Sequence, residues 1–263
     1  MQQEIKTGGL ERFFIACFRP GRYEELLKAR TARHVIYVCL IVLLQVLIET
    51  VIPFSAWDLS VGGLNHLITD RLPAFTIENG SMEIEQPIEV ELMGVIRFKA
   101  DSGVDSYSRD DLSADYQEEI LCSKGNLLLK MNGRVMDIPV TELSSGRIDN
   151  KSLAEALPVL RIFLGIYLIS TFFVKIGVYM LAAIFFAILC RAAIRTPDGK
   201  FVTLKGTLVI AIYAKTLFTL LGSVNICLGA PIAQTLVLIA GTFGTMLFID
   251  RAEAAVLKLT GRK

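Results

Sequence analysis

The sequence predicts an α-helical integral membrane protein of about four transmembrane helices, with a small extracytoplasmic β-rich domain inserted after the first. Three observations predict it. Apolar residues make up 53% of the chain and are clumped into long runs rather than spread. Between residues 75 and 140 the hydrophobic period switches from that of a helix to that of a strand. The basic residues gather in three segments, which four crossings would place on one side of a bilayer.

Composition excludes several classes. Lys and Arg nearly cancel Asp and Glu, leaving +1 over 263 residues, so no global basic excess invites nucleic acid. The five cysteines, Cys17, Cys39, Cys122, Cys190 and Cys227, form no CxxC pair. Neither a disulfide framework nor metal-ligand spacing is visible.

Residues 1–33 read as a cytoplasmic amphipathic segment. Leu10, Phe13, Phe14, Cys17 and Phe18 fall at i, i+3, i+4 spacing, with Arg12 and Arg19 beside them. That pattern fits a helix lying among lipid headgroups, with Phe13, Phe14, Phe18, Arg12 and Arg19 as the contacts. It equally fits a helix packed on the cytoplasmic end of a bundle. Arg19-Pro20-Gly21-Arg22 is a turn, and Tyr23 to Arg33 reads as a helix running into the first span.

A helix needs about 20 mostly apolar residues to cross a bilayer. The first candidate is 34–53, read as an uncleaved signal anchor because no small-residue cleavage site follows it. The second is Ile162 to Cys190, too long for one upright span and too short for two, so one tilted or projecting helix. The third runs from Thr207 to Leu221 and the fourth from Leu228 to Ile249, joined by Gly222–Cys227. Residues 162–249 thus form a membrane domain with spans two to four, and 250–263 a cytoplasmic tail. Uninterrupted runs exclude a β-barrel.

Residues 1–33 carry Lys6, Arg12, Arg19, Arg22, Lys28, Arg30 and Arg33. The loop after span two carries Arg191, Arg195, Lys200 and Lys205, and the tail carries Arg251, Lys258, Arg262 and Lys263. Short basic loops stay in the cytoplasm. A multi-pass protein of the cell membrane is therefore expected, with both termini cytoplasmic and residues 54–161 facing outward.

That outer segment reads as five or six short strands. Asn79-Gly80 between FTIE and SMEIE, and Asn132-Gly133 between LLLKM and RVMDIPV, supply the φ > 0 pairs of type I′ hairpins. Ile88, Val90 and Leu92 alternate with acids, which face solvent in this reading. Residues 101–118 form a polar loop, and 54–73 and 141–160 are connectors, partly helical.

Chemistry-bearing motifs are scarce. Asp101, Asp105, Asp110, Asp111 and Asp115 lack the EF-hand order, and a solvated loop explains them better than calcium. No HExxH, GxSxG, P-loop or GxGxxG pattern occurs, and the two histidines, His34 and His66, are far apart. Neither catalytic residues, a metal site nor a cofactor is expected. Charges inside spans are more informative, since burying one is costly. Glu49 lies 15 residues from His34 and Lys175 lies 15 residues from Cys190. Equal depth allows a Glu49–Lys175 ion pair. Lys215, nearer the midplane, either snorkels or faces a polar interior with Gln45, Thr216 and Thr219. The bland reading is a register-fixing pair; the sharper one is a polar track.

The stretches FFIACFRPGRYEELLKARTAR, PAFTIENGSMEIE, ILCSKGNLLLKMNG and IRTPDGKFVTLKGTLVIAIYA together resemble an uncharacterised bacterial multi-pass membrane family of the Yip-like clan, some of whose members are labelled maltodextrin-utilisation proteins. The resemblance covers most of the chain. It implies a multi-pass membrane protein with no catalytic residues to carry over, and at most an accessory role near sugar uptake. No aromatic sugar groove accompanies it; the single Trp, Trp57, lies close to the first span.

Three functions compete. The favoured one is a non-enzymatic membrane protein that senses, scaffolds or assists an unidentified membrane or envelope protein partner, in contact with membrane lipids. The second is a transporter or channel subunit using Glu49, Lys175 and Lys215. Four spans without a broken helix or inverted repeat argue against an autonomous transporter, so a homo-oligomer would have to build the pore. The third is a membrane-bound enzyme acting on lipid or envelope polymer, for which a pocket of convergent carboxylates would be the sign.

Overall fold

The computed structural model describes residues 8–92, 96–116, 118–131, 133–143, 146–193 and 202–260. Among the residues invoked above, Lys6, Asn132, Arg195, Lys200, Arg262 and Lys263 lie outside these. Two compact units are present. One combines the residues up to Ile52 with those from Tyr167 onward, and the other is Pro53–Ile166.

The chain opens with α1 (Gly9–Phe18), a short 3-10 turn at Pro20–Arg22, and α2 (Tyr23–Leu27). The helix expected to run from Tyr23 into the first span stops at Leu27. Arg30 is extended and caps α3 (Thr31–Val46). The break lets Tyr23 and Leu26 turn into the core, where both are buried. α3 continues through a π-helical turn, Leu47–Val51, into α4 (Ile52–Ser60). The widening sits just ahead of Pro53, which offers no N–H to the carbonyl of Glu49 and crowds it with its ring.

The second unit follows with α5 (Leu64–His66), strands β1 (Phe75–Glu78), β2 (Ser81–Ile84), β3 (Ile88–Leu92), β4 (Ile96–Asp101), β5 (Glu118–Ser123), β6 (Asn126–Met131) and β7 (Arg134–Pro139), helix α6 (Val140–Leu143) and β8 (Ile148–Asp149). There are thus eight strands among the described residues, in two sheets of order β2-β1-β8 and β3-β4-β5-β6-β7. Sequence reading missed β5 and β8. Asn79 and Gly80 both take positive φ, as the type I′ hairpin between β1 and β2 requires.

β4 and β5 pair in parallel, so residues 102–116 must cross one face of the five-stranded sheet. They are more than a solvated loop. Tyr107 is buried there against Leu121 and Leu128, with Val104, Leu112 and Val135 around them. Asn126 holds the crossover by accepting from the Tyr107 N–H and donating to its carbonyl, each at 2.8 Å. Register places Val90, Phe98, Ile120, Leu129 and Met136 side by side on the opposite, apolar face.

Four helical stretches are long and apolar enough to cross a membrane: Thr31–Ser60, Asn150–Arg191, Leu204–Cys227 and Gln234–Lys258. The second belongs to α7 (Asn150–Ala193), which starts twelve residues before the expected span. The third comprises α8 (Leu204–Ala214) and α9 (Thr216–Cys227), and the fourth lies in α10 (Gln234–Thr260). The link expected at Gly222–Cys227 is helical instead, and the turn falls at Leu228–Ala233. Gly229 at φ +78 donates to Ile226 O and Ala230 donates to Asn225 O, the two bonds of a Schellman motif, with Pro231 following. Asn225 then clamps the turn through both side-chain atoms to Ile232.

The first unit's core joins these helices. Ile15, Ala16, Tyr23 and Leu26 of the N-terminal segment share it with Tyr37, Val42, Tyr179, Tyr213, Ile249 and Ala252. The fourth helix therefore keeps packing beyond Ile249 and is not a free tail there. α9 and α10 approach closely because Gly244 leaves its face open; a Cβ there would lie 2.1 Å from the Phe218 ring.

Candidate functional site

A column of polar side chains runs through the interior of the helical unit. At one end, Lys175 of α7 forms an ion pair with Glu49. Glu49 also accepts from Gln45 Nε2 at 3.0 Å, one helical turn away, and from Ser223 Oγ of α9 at 2.7 Å. Three helices are thereby tied at one carboxylate, whose oxygens are all engaged.

Lys215 stands between α8 and α9 and is only 8% exposed. Its Nζ lies 3.8 Å from the centroid of the Tyr179 ring and donates to the Tyr179 carbonyl at 3.0 Å. It does not snorkel. The interruption of the third helix at this residue, not legible beforehand, has a cause in the same place. The Tyr179 hydroxyl donates to Ile212 O at 2.6 Å, the carbonyl that a regular helix would offer to the Thr216 N–H. A side chain inserted into the ladder loosens it locally.

The column continues through hydroxyls. Thr216 Oγ1 lies 3.3 Å from the Tyr179 hydroxyl and 2.9 Å from that of Tyr37. The Tyr37 ring lies tilted against that of Tyr213, centroids 4.4 Å apart, and the Tyr213 hydroxyl meets His34 Nδ1 at 2.9 Å. Nearby, Thr207 donates to the buried Glu253 at 2.6 Å. Four tyrosines, Tyr23, Tyr37, Tyr179 and Tyr213, are buried in this one core. Sequence reasoning missed them, although a tyrosine deep inside an apolar run was the available signal: a buried phenol usually finds a partner.

A cavity of about 290 Å³ adjoins the ion pair. Gln45, Glu49, Lys215 and Thr219 line it, which brings together the polar residues named from the sequence except Lys175 and Thr216; Ser223 of α9 and Gln234, Thr242 and Thr245 of α10 add polar groups.

On α1, Phe14 and Phe18 are exposed, with ring centroids 5.1 Å apart, and the Arg19 guanidinium lies 5.4 Å from the Phe14 centroid. Leu10 extends this stripe, whereas Phe13 packs on the core. Arg12 corrects the expectation of a headgroup contact. It precedes the buried Ile15 and Ala16 by three and four residues, shares their face, and is 6% exposed.

The β unit holds a second charge cluster. Glu119 on β5 is fully buried, against the expectation that strand acids face water. Arg97 and Lys130 flank it on β4 and β6, each with a nitrogen 3.4 Å from a carboxylate oxygen. Lys130 also donates to Ser113 O at 2.5 Å and Tyr116 O at 2.7 Å, fastening the crossover. In the acidic loop, Asp111 accepts from the backbone N–H and hydroxyl of Ser108, and these bonds hold its carboxyl below the usual range. No three His, Cys, Asp or Glu side chains converge among the described residues.

Four helices long and apolar enough to cross a membrane, a buried run of polar side chains and a small β unit define the class: a mostly helical protein with four membrane-length helices. The chain belongs to the family described as Protein of unknown function (DUF1189), which it matches over residues 10–249. No curated protein and no solved structure matches it.

Proposed function

We propose that this is a non-enzymatic, multi-pass protein of the cell membrane that acts as an accessory, scaffold or sensor for a partner complex. In this reading both termini are cytoplasmic and the β unit faces outward, the side the basic loops avoid. Kinship with the Yip-like clan, and a place near sugar uptake, belong to the same proposal.

One observation carries it. Glu49, the acid buried deepest in the first helix, is held by Lys175, Gln45 and Ser223 at once. A carrier needs its charged group to exchange partners. A carboxylate held by donors from three helices fixes helix register instead, a use well attested for buried ionic groups. Photo-crosslinking amino acids at Met131 and Met136, both exposed on the β unit, test the proposal in native membranes. One protein species captured from both positions is expected. Adducts to lipid alone, together with ion flux by the purified protein in liposomes, would overturn it.

The second reading, a transporter or channel subunit, draws on Lys215, a buried cation beside a cavity. It predicts flux that disappears in a Lys175→Met, Lys215→Met double variant.

A further inference from the structure

We infer that the cavity beside Lys215 is a binding site for a small monoanion. The inference goes beyond the partner role and does not depend on it.

The charge balance of the site is uneven. Glu49 and Lys175 neutralise one another. Among the described residues no carboxylate pairs with Lys215, whose ammonium meets a carbonyl and a ring face, both on Tyr179. An ammonium carries three donors; with one on the carbonyl and one turned to the ring face, one remains for the cavity it lines. An uncompensated charge in a low-dielectric interior costs several kcal/mol; a bound anion removes that cost.

The rest of the lining mixes apolar side chains, among them Phe186, Phe218 and Val237, with donors. Thr219, Thr242 and Thr245 supply hydroxyls and Gln234 an amide, all able to donate. The volume, about 290 Å³, corresponds to roughly ten waters at about 30 Å³ each. That admits a hydrated halide or a short carboxylate. Because Lys175 neutralises Glu49 on the same wall, the site's surplus is the one charge of Lys215, which sets the preference for one negative charge over two. Gln234 and Leu238 are exposed at the rim, so the space reaches the surface of the helical unit.

Chloride-35 line width, measured on the full-length protein in detergent, tests the site. Saturable broadening is expected, removed by acetate in competition and hardly by sulfate. Lys215→Met should weaken it at least tenfold. Thr245→Val, which keeps the shape and deletes a donor, should weaken it severalfold and reads the site even if Lys215→Met does not fold. Lys151→Met, an exposed change in the β unit, should leave it intact. Equal competition by acetate and octanoate identifies a free anion, and a strong preference for octanoate identifies a lipid-derived carboxylate; either supports a monoanion site. Unsaturable broadening, broadening indifferent to both cavity variants, or sulfate competing as well as acetate would overturn the inference.

Discussion

Lys175 and Glu49, 126 residues apart in sequence, form an ion pair that joins the second long helix to the first, and Ser223 brings the third helix to the same carboxylate. Removing one partner leaves the other charged and unpaired, with Glu49 largely buried and Lys175 about 24% exposed; for buried pairs this typically costs about 3–5 kcal/mol, which is an upper bound here. Lys175→Met and Glu49→Leu should each lower stability by up to that amount. The double variant should be markedly more stable than the sum of the two losses implies, because no bare charge remains. Thermal unfolding of all four proteins in one detergent gives the cycle; simple additivity would show that the pair does not couple the helices.

Tyr179 governs the irregular third helix. Tyr179→Phe deletes the hydroxyl at Ile212 O and at Thr216 while keeping the ring under Lys215. A single hydrogen bond contributes about 1 kcal/mol, so the loss should be modest. Hydrogen exchange at the Thr216 amide should slow as the helix recovers its own bond to Ile212. Faster exchange there would mean that the hydroxyl braces the helix rather than interrupting it.

Glu119 ties the sheet to its crossover. Glu119→Gln keeps the shape and should be tolerated at a cost of about 1–2 kcal/mol. Glu119→Leu removes the shared carboxylate while Arg97 keeps Glu89 and Lys130 keeps its two carbonyls, so it should cost about 2–3 kcal/mol, more than the amide. The crossover fastened by Lys130 should then become the first site of proteolysis in the β unit. Unchanged protease resistance in Glu119→Leu would remove the ion cluster from the account of this fold.

What could be read from the sequence divides along physical lines. The long helices were legible because an apolar run signals burial or lipid wherever it occurs. Glu49 and Lys175 were legible as a pair because equal depth follows from counting residues. The Asn79-Gly80 hairpin was legible because few dipeptides accept two positive φ angles. β5 was not: Glu118 and Glu119 look like solvent-facing acids unless one knows that Arg97 and Lys130 lie on neighbouring strands. The end of the third helix was written in Gly229 and Pro231, but the apolar run through Leu228 masked it. Tyr179 and Tyr37 passed for packing residues because their partners come from helices distant in sequence.

The exposed stripe of α1 separates two fates for the N-terminal segment. Its inner face is fixed by Ile15, Ala16 and the buried Arg12. Its outer face, Leu10, Phe14 and Phe18, is open. In a Trp57→Phe background, Phe14→Trp provides a single reporter. In nanodiscs with brominated lipid its emission should be blue-shifted and quenched if the stripe lies among acyl chains. Red-shifted, unquenched emission would place it in water and leave α1 a purely protein-facing element.

The native thiols shape how orientation can be tested. Burial pushes Cys17 up to about 11 from an ordinary 9.0, and Cys122 to about 12. Both stay protonated at neutral pH, and the thiolate is the reactive form, so both should label slowly in the folded protein on whichever side they lie. Above about pH 9 the unfolded chain releases these protons and the folded chain keeps them, so stability should fall as pH rises toward 11. Cys17→Ser with Cys122→Ser should flatten that decline. A direct test of topology therefore needs exposed sites, and Lys151→Cys and Lys258→Cys provide them. In intact cells an impermeant maleimide should label position 151 at once and position 258 only after lysis. The reverse pattern would turn the β unit inward, and the proposed outward-facing partner would have to be sought in the cytoplasm.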